Sequence, residues 1–366
     1  MNRTRGGLTP QQVRAYAPEH HPRLAMVLAR PHDPTRQDGT WPWRDDDGTA
    51  LLPMHPHQAD RLAAHIDIIG TRSAAPLMSL RTLAPAATRR HHVKTAVDLQ
   101  MTSAIRRVSP AALHNGPHLS RITAALTPRT GMAVHVETAT MTVLDSTGQP
   151  RPDLSAILRT LPHTDAIPIP LAALAEPDPA TGTPLIATVI ATTTLTPPQW
   201  WNRCVPLLLT GPLTLAGLGI SLEAHGQNTL IELDHGHPHR LVYRDFGGVR
   251  VDPDRLAANG IHCPPLHGDI PQPHPHTRHT TLLAALYATV LRQLVHTLTH
   301  HYQTPADDWW RPVAEHSHRL SHTDPHLHDM IFADTWPLKA TTAMRLSPDP
   351  LTNQWIRLPN PIAGHR

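Results

Sequence analysis

Leu222-Glu-Ala-His-Gly-Gln-Asn228 and, shortly after it, Arg244-Asp-Phe-Gly-Gly248 are the stretches on which the reading of this chain turns. Between them, Thr229-Leu-Ile-Glu-Leu233 and Arg240-Leu-Val-Tyr243 flank Asp234-His-Gly-His-Pro-His239, the pattern of two short strands about a polar turn. Antiparallel strands return to their start, so the outer ends of such a hairpin lie close together. The carboxylates Glu223 and Asp245 are thereby placed around His225, Gln227 and Asn228. Carboxylates are common protein ligands for Mg²⁺, which keeps water and nucleotide phosphates as its other ligands. A histidine among them can donate a hydrogen bond to a substrate carboxylate or a developing oxyanion. The set suits a metal-bound polyphosphate held beside an anionic substrate. Read without function, the same residues make a polar strand entry with a capped turn.

A second constellation lies upstream: Ser79-Leu-Arg-Thr82, Lys94 and Thr102-Ser-x-x-Arg106. No G-x-x-x-x-G-K-[ST] occurs, so a Walker-type phosphate loop is excluded, and no G-x-G-x-x-G supports a dinucleotide fold. An ATP-using chain of this kind must neutralise the triphosphate with side chains. Two arginines, one lysine and several hydroxyls are the right types, because guanidinium grips phosphate or carboxylate with two parallel bonds. Lys94 stands out in a chain with very few lysines. Taken singly, Arg81 and Lys94 also read as exposed strand residues, and Thr102 or Ser103 as a helix cap.

Farther outward the pattern is mixed. Residues 77–83 and 93–99 alternate as half-exposed strands, and residues 101–108 turn helical. Asn115-Gly-Pro117 is a stop signal. Residues 131–146 and 184–195, rich in Val, Thr and Ile, read as strands joined by a Pro-rich surface excursion over 150–179. Residues 207–219 form a Leu-rich helix ending at glycine. The chain is expected to be α/β (mixed α+β), with an antiparallel sheet and an α-rich C-terminal region. Three segments are expected: an irregular 1–50 with a polar turn at Arg44-Asp-Asp-Asp-Gly48, an α/β domain over 51–250, and an α-rich domain over 251–366.

Composition narrows the partners. With 32 Lys plus Arg against 29 Asp plus Glu, the charge is nearly balanced, and no basic run of nucleic-acid type occurs. The apolar stretch over 282–298 is broken by Arg292, Gln293 and His296, so it reads as a buried helix, not a membrane span. Two isolated cysteines, Cys204 and Cys263, fit a reduced cytoplasm. The 30 histidines and 40 prolines are spread through loops and helices alike, as under a codon bias. His55-Pro-His-Gln58 and the histidines of 234–239 are therefore read as structural, and Trp200-Trp201 and Trp309-Trp310 as packing.

Together the motifs resemble the IucA/IucC family, the siderophore synthetases that work independently of nonribosomal peptide synthetases. The resemblance rests on His225-Gly-Gln-Asn228, Arg244-Asp-Phe-Gly-Gly248 and Thr102-Ser-x-x-Arg106. Leu52-Pro-Met-His-Pro-His-Gln58, Ser79-x-Arg-Thr82, Trp336-Pro-Leu-Lys-Ala340, Met344-Arg-Leu346 and Pro359-Asn-Pro361 support it. It implies a hand-like fold with ATP in the palm, and adenylation of a carboxylate of citrate or a related acid. An amine or hydroxyl then displaces AMP. It further implies that Ser79, Arg81, Thr82 and Lys94 cradle the phosphates, with Gln227 and Asn228 assisting. Arg106, with Thr102 nearby, would lie between phosphate and substrate, and His225 would bind the substrate carboxylate. Glu223 and Asp245 would surround Mg²⁺. A homodimer is the assembly to test for. Family members carry a further N-terminal region with a His-Pro-x-His-Pro-x-x-Lys motif. The match here begins near Leu51, so that region is expected to be missing. Two rival readings stand beside this one: a kinase-like phosphotransferase, from His-x-x-Asn followed by Asp-Phe-Gly, and an inactive partner subunit.

Overall fold

The apolar runs of the first part of the chain become strands of one antiparallel sheet. A computed structural model describes residues 7–88, 90–100, 105–166, 168–347 and 352–365. The chain divides into two units. Unit 1 comprises Met1–Ser120, His135–His163 and Thr341–Gln354, and unit 2 comprises Arg121–Val134, Thr164–Ala340 and Trp355–Arg366.

Unit 1 is built on an eight-stranded sheet. Its spatial order is Thr35–Asp38, Val136–Leu144, Pro150–Thr160, His91–Thr95, Thr82–Pro85, Ile66–Pro76, Leu24–Pro31 and Leu52–Met54. Every neighbouring pair is antiparallel. Met26, Ala29, Trp41, Leu52, Leu83, Val93, Met141 and Leu154 meet in its core. Full burial of each large apolar side chain among them stabilises by roughly 1.5–3 kcal/mol. The first fifty residues are not irregular: they supply a strand, Leu24–Pro31, that lies inside the sheet, and the buried Trp41. The polar turn at 44–48 does form, with Arg30 bound to Asp45 behind it. Nor is 150–179 only a surface excursion. Pro150 and Pro152 sit at the start of a strand whose middle, Leu154 to Leu158, is buried without alternation. Such an unbroken buried run is invisible to a search for period two.

Two helix signals also gave way to packing. Asn115-Gly-Pro117 does not stop the Pro110–Ala125 helix, which runs through it. Gly116 lies against the Glu137 carboxylate, where an added Cβ would fall 1.7 Å from Oε2, so close tertiary contact outweighs local propensity. Ile105–Arg106 is not helical: it is a short strand paired with Val97–Gln100.

Unit 2 carries a four-stranded sheet ordered Pro168–Pro170, Thr229–Asp234, His237–Tyr243 and Ala133–Val134. The expected hairpin is its centre, with Thr229 opposite Tyr243. Residues 185–191 form a helix, not a strand; Pro184 precedes it, and Ile186 and Ile190, four apart, share the buried side. The Pro197–Leu218 helix starts with a capping box between Thr196 and Gln199 and ends at Gly219, φ +112°. Trp200, Trp201, Trp309 and Trp310 are all core residues. One helix, Pro275–Tyr302, is long and apolar enough to cross a membrane by length and composition, but most of it is buried inside the unit. The fold is therefore mixed α/β with a large antiparallel sheet and a helix-rich C-terminal part.

Candidate active site

In unit 1 the residues singled out upstream gather around a turn. Leu77–Arg81 is not strand: Leu80 takes φ +63° and is fully buried with Val97 and Leu99. That left-handed residue costs strain in a non-glycine and is held by the packing. It turns Ser79 back, so that Ser79 Oγ donates to Thr82 Oγ1 at 2.8 Å and accepts from the Thr82 N–H at 3.2 Å. Thr82 stands directly opposite Lys94 in the sheet, and both are buried. Directly opposed residues project to one face. The Arg81 guanidinium donates to the Arg107 carbonyl, while the Arg81 carbonyl accepts from Thr95 N and Oγ1. Arg106 stands opposite Val97 and is half-buried. The structure thus brings Ser79, Thr82 and Lys94 together and ties Arg81 to the segment carrying Arg106. Thr102 lies outside the described residues.

The structural reading of His55-Pro-His-Gln58 holds. Gln58 is buried; its Nε2 donates to the Asp153 carbonyl and its Oε1 accepts from the Asp98 N–H at 2.9 Å. The preceding His55 is an N-cap whose Nδ1 accepts from the His57 N–H at 3.2 Å. Tyr16 stands edge-on to its ring at 5.0 Å. Burial pushes the His55 imidazole down to about 3.

In unit 2 the Leu222–Asn228 stretch is a tight loop between Ile220–Ser221 and the hairpin. Its backbone is closed on itself: His225 N donates to Glu223 O at 2.9 Å, and Asn228 N to His225 O at 2.9 Å. Gly226 is required there, because a Cβ would fall 2.6 Å from the Ala172 backbone nitrogen. The Arg244 side chain donates to the Gln227 carbonyl at 3.0 Å and its N–H to the Asn228 carbonyl at 3.0 Å, joining the two motifs. Asp245 takes φ +75°, and Tyr243 Oη donates to its carbonyl at 3.1 Å. Asp245 Oδ1 accepts from the Gly247 N–H at 3.3 Å.

The electrostatics centre on His225. The Gln227 N–H donates to its Nδ1 at 3.3 Å, so the ring proton resides on Nε2, which is the donor. Burial holds its pKa below the ordinary value; Glu223 and Asp245 oppose that shift and Lys339 adds to it. Glu223 is half-buried, and its Oε1 accepts from Lys339 Nζ at 2.9 Å. On its other side the carboxylate lies against Gly248, where a Cβ would meet Oε2 at 1.9 Å. Lys339 was not foreseen, although the scarcity that drew attention to Lys94 applies equally: these are the only two lysines in the chain. For Mg²⁺ the carboxylates are the right donor type. Among the described residues, however, no group of three His, Cys, Asp or Glu side chains converges on one point. One of the two expected ligands, Glu223, is already paired with a cation. Asp245 fits a metal that takes a single carboxylate and keeps water and phosphate.

The model of the IucA / IucC family matches residues 1–176, so the match does not begin near Leu51 as expected. The model of the ferric iron reductase FhuF-like transporter family matches residues 198–350. Staphyloferrin A synthase of Staphylococcus aureus is 25% identical over 99% of this chain and 70% of its own length. Two further curated relatives are matched over 51% and 44% of their lengths. Among solved structures, petrobactin biosynthesis protein AsbB from Bacillus anthracis superposes with a TM-score of 0.83 at 19% identity, over 98% of this chain and 72% of that one. ATP-bound aerobactin synthetase IucA from Klebsiella pneumoniae gives 0.79 at 17% identity, over 97% and 73%. The chain thus matches the IucA / IucC family over residues 1–176, is similar along its length to a siderophore synthase, and shares the fold of the siderophore-biosynthesis proteins it superposes on.

Proposed function

We propose that this chain is an ATP-dependent ligase of siderophore biosynthesis, which adenylates a carboxylate of citrate or a related di- or tricarboxylate and passes the acyl group to an amine or hydroxyl. The observation that carries the reading is His225: a neutral imidazole with its Nε2–H fixed as donor, set among Glu223, Asp245 and Lys339. A carboxylate is a poor electrophile, so one of its oxygens must first be made a leaving group. The carboxylate oxygen attacks the α-phosphorus of ATP, the bond to the β-phosphate oxygen breaks, and pyrophosphate departs. The nucleophile's nitrogen or oxygen then attacks the acyl carbon, the bond to the AMP oxygen breaks, and the nucleophile gives up its proton.

Ser79, Arg81, Thr82 and Lys94 are assigned to the phosphates on their chemistry, and Arg106 and Thr102 to phosphate and substrate carboxylate. Gln227 and Asn228 border His225 and are assigned to nucleotide contacts. Asp245 is the residue that would hold Mg²⁺, whose charge, when bound, would offset that of the phosphates. The cytoplasm is part of the proposal, since both Cys204 and Cys263 are free thiols. The test is pyrophosphate release with ATP, citrate and a panel of amines. Release of AMP and pyrophosphate supports the ligase, whereas ADP would favour the kinase-like alternative. No turnover and no ATP binding by the folded chain would favour the inactive partner.

A further inference from the structure

We infer that Ser221, His279 and Asp324 form a buried polar chain that positions the loop bearing His225, so that all three are positioning residues for the reaction. The inference rests on the proposed function only in taking His225 as the group that is aimed.

The Leu222–Asn228 loop and the Arg244–Gly248 stretch are strung between the same two ladders. Thr229 stands opposite Tyr243 at one end, and Ser221 opposite Arg250 at the other. The second ladder is only Ile220–Ser221 against Arg250–Val251, too short a pairing to hold the loop alone. Ser221 stands four residues before His225, and its side chain is fully buried. Its Oγ lies 3.1 Å from His279 Nδ1, and His279 Nε2 lies 3.6 Å from Asp324 Oδ2. His279 and Asp324 are buried as well. Asp324 is held at both oxygens. Oδ1 caps the Pro325–Ile331 helix by accepting the Leu327 N–H at 3.2 Å, and Oδ2 lies 2.8 Å from Arg255 Nη2. Arg255 Nε in turn donates to the Gly217 carbonyl at 2.6 Å, at the end of the helix that leads into Ser221.

The chemistry sets the direction of the chain. Burial pushes the Asp324 carboxyl up, but His279, the Leu327 N–H and Arg255 outweigh it and hold it at about 2, so it is a carboxylate. Burial holds the His279 imidazole below its ordinary value; Asp324 opposes that shift, and Arg278 and Arg255 add to it. Arg278 is itself bound to Asp252 at 3.0 Å and to the Gln272 and Pro273 carbonyls. The His279 ring is therefore neutral at neutral pH. A carboxylate beside Nε2 keeps the ring proton there, Nδ1 is left as acceptor, and the Ser221 hydroxyl donates to it. Buried charges cost stability, and apolar residues of the same volume often fill such a place without loss. What the polar chain adds is direction: it fixes the Ser221 side chain, and with it the backbone that enters the loop.

The experiment compares Ser221→Ala and Asp324→Asn with the unaltered chain, each also combined with His225→Ala. Asparagine keeps the helix cap but can present its oxygen or its amide to His279, which frees the tautomer. The readouts are amide hydrogen exchange in 222–228, kcat/KM for citrate in pyrophosphate release, and the thermal melt. Both variants are expected to speed exchange in 222–228, while the Pro197–Leu218 and Pro275–Leu282 helices exchange as before. They are expected to lower kcat/KM by about 10- to 100-fold, the range for a partner that orients a reacting group. In the His225→Ala background neither should lower it further, because the chain acts through His225. A further loss there of the same factor, or faster exchange spread over those helices, assigns the network to stability alone and overturns the inference. Unchanged exchange in 222–228, or an undiminished kcat/KM, overturns it too. Should Asp324→Asn not fold, Ser221→Ala, which removes one oxygen, decides. If the unaltered chain releases no pyrophosphate while both variants speed exchange in 222–228 alone, the proposed function fails and the positioning of the loop stands. If release is normal in both variants and exchange is unchanged, the reverse holds.

Discussion

His55 and His225 are built alike and used differently. In each, Nδ1 accepts the N–H of the residue two positions on, at 3.2 Å from His57 and 3.3 Å from Gln227. In each, the proton is thereby left on Nε2. Both rings are also pushed toward neutrality by burial. The difference lies in what surrounds Nε2. His55 is fully buried, caps a six-residue helix and faces Tyr16. His225 is only partly buried, among two carboxylates and a lysine. One local device thus serves packing in unit 1 and, on the proposed function, substrate binding in unit 2, and only the neighbours distinguish them.

Substitutions can break that contrast. The largest effect is expected at His225. His225→Ala should lower carboxylate-dependent pyrophosphate release by about 10²–10³-fold, the range for loss of a placed oxyanion donor. Its melting temperature should stay within a few degrees; near-normal release would sink the assignment. His55→Ala should do the opposite. It removes a buried ring and an N-cap, and should destabilise unit 1 by roughly 2–4 kcal/mol in a denaturant titration. Activity per folded molecule should be retained.

A pH titration sharpens the comparison further. His55 is neutral in the native state down to about 3, whereas in the unfolded chain it takes up a proton near 6.5. As pH falls below 6.5 the unfolded state binds the extra proton, so stability falls, by up to about 1.4 kcal/mol per pH unit, until the native ring also titrates. Between pH 6.5 and 3 the slope should be shallower in His55→Gln, as followed by chemical denaturation at stepped pH. An unchanged slope would place the acid sensitivity elsewhere. The smallest effect is expected from Tyr16→Leu, which keeps apolar bulk but loses the edge-on ring contact. It should cost about 0.5–1.5 kcal/mol in the same titration and leave pyrophosphate release untouched.

The candidate-site stretch was legible because its residues lie close in sequence. The hairpin that joins Glu223 to Asp245 is local, and its register follows from alternation and a polar turn. The helix that precedes it was legible from its leucines and its terminal glycine. Lys339 was quoted only within Trp336-Pro-Leu-Lys-Ala340 and given no role, because its partner Glu223 stands 116 residues away and local spacing does not reveal that pairing. Gln58 was read as structural, but its partners Asp98 and Asp153, 40 and 95 residues away, are not visible in local spacing. The strand over 24–31 was hidden by the opposite fault: buried on both sides along most of its length, it shows no alternation to detect.

By itself, the sequence determined the chemistry on offer: two carboxylates, a histidine, an amide pair, and a cationic set with hydroxyls, in an order that matches a family of siderophore synthetases. Side-chain type and short spacing suffice for that, because ligand chemistry belongs to the residue and hairpins are local. Only the tertiary structure decided how the charges pair. It gave Glu223 to Lys339, placed Gly248 against the same carboxylate, and made Leu80 a left-handed anchor for the Ser79–Thr82 turn. Those outcomes depend on which distant surfaces meet in the packed interior, where a contact of a few ångströms outweighs any local preference.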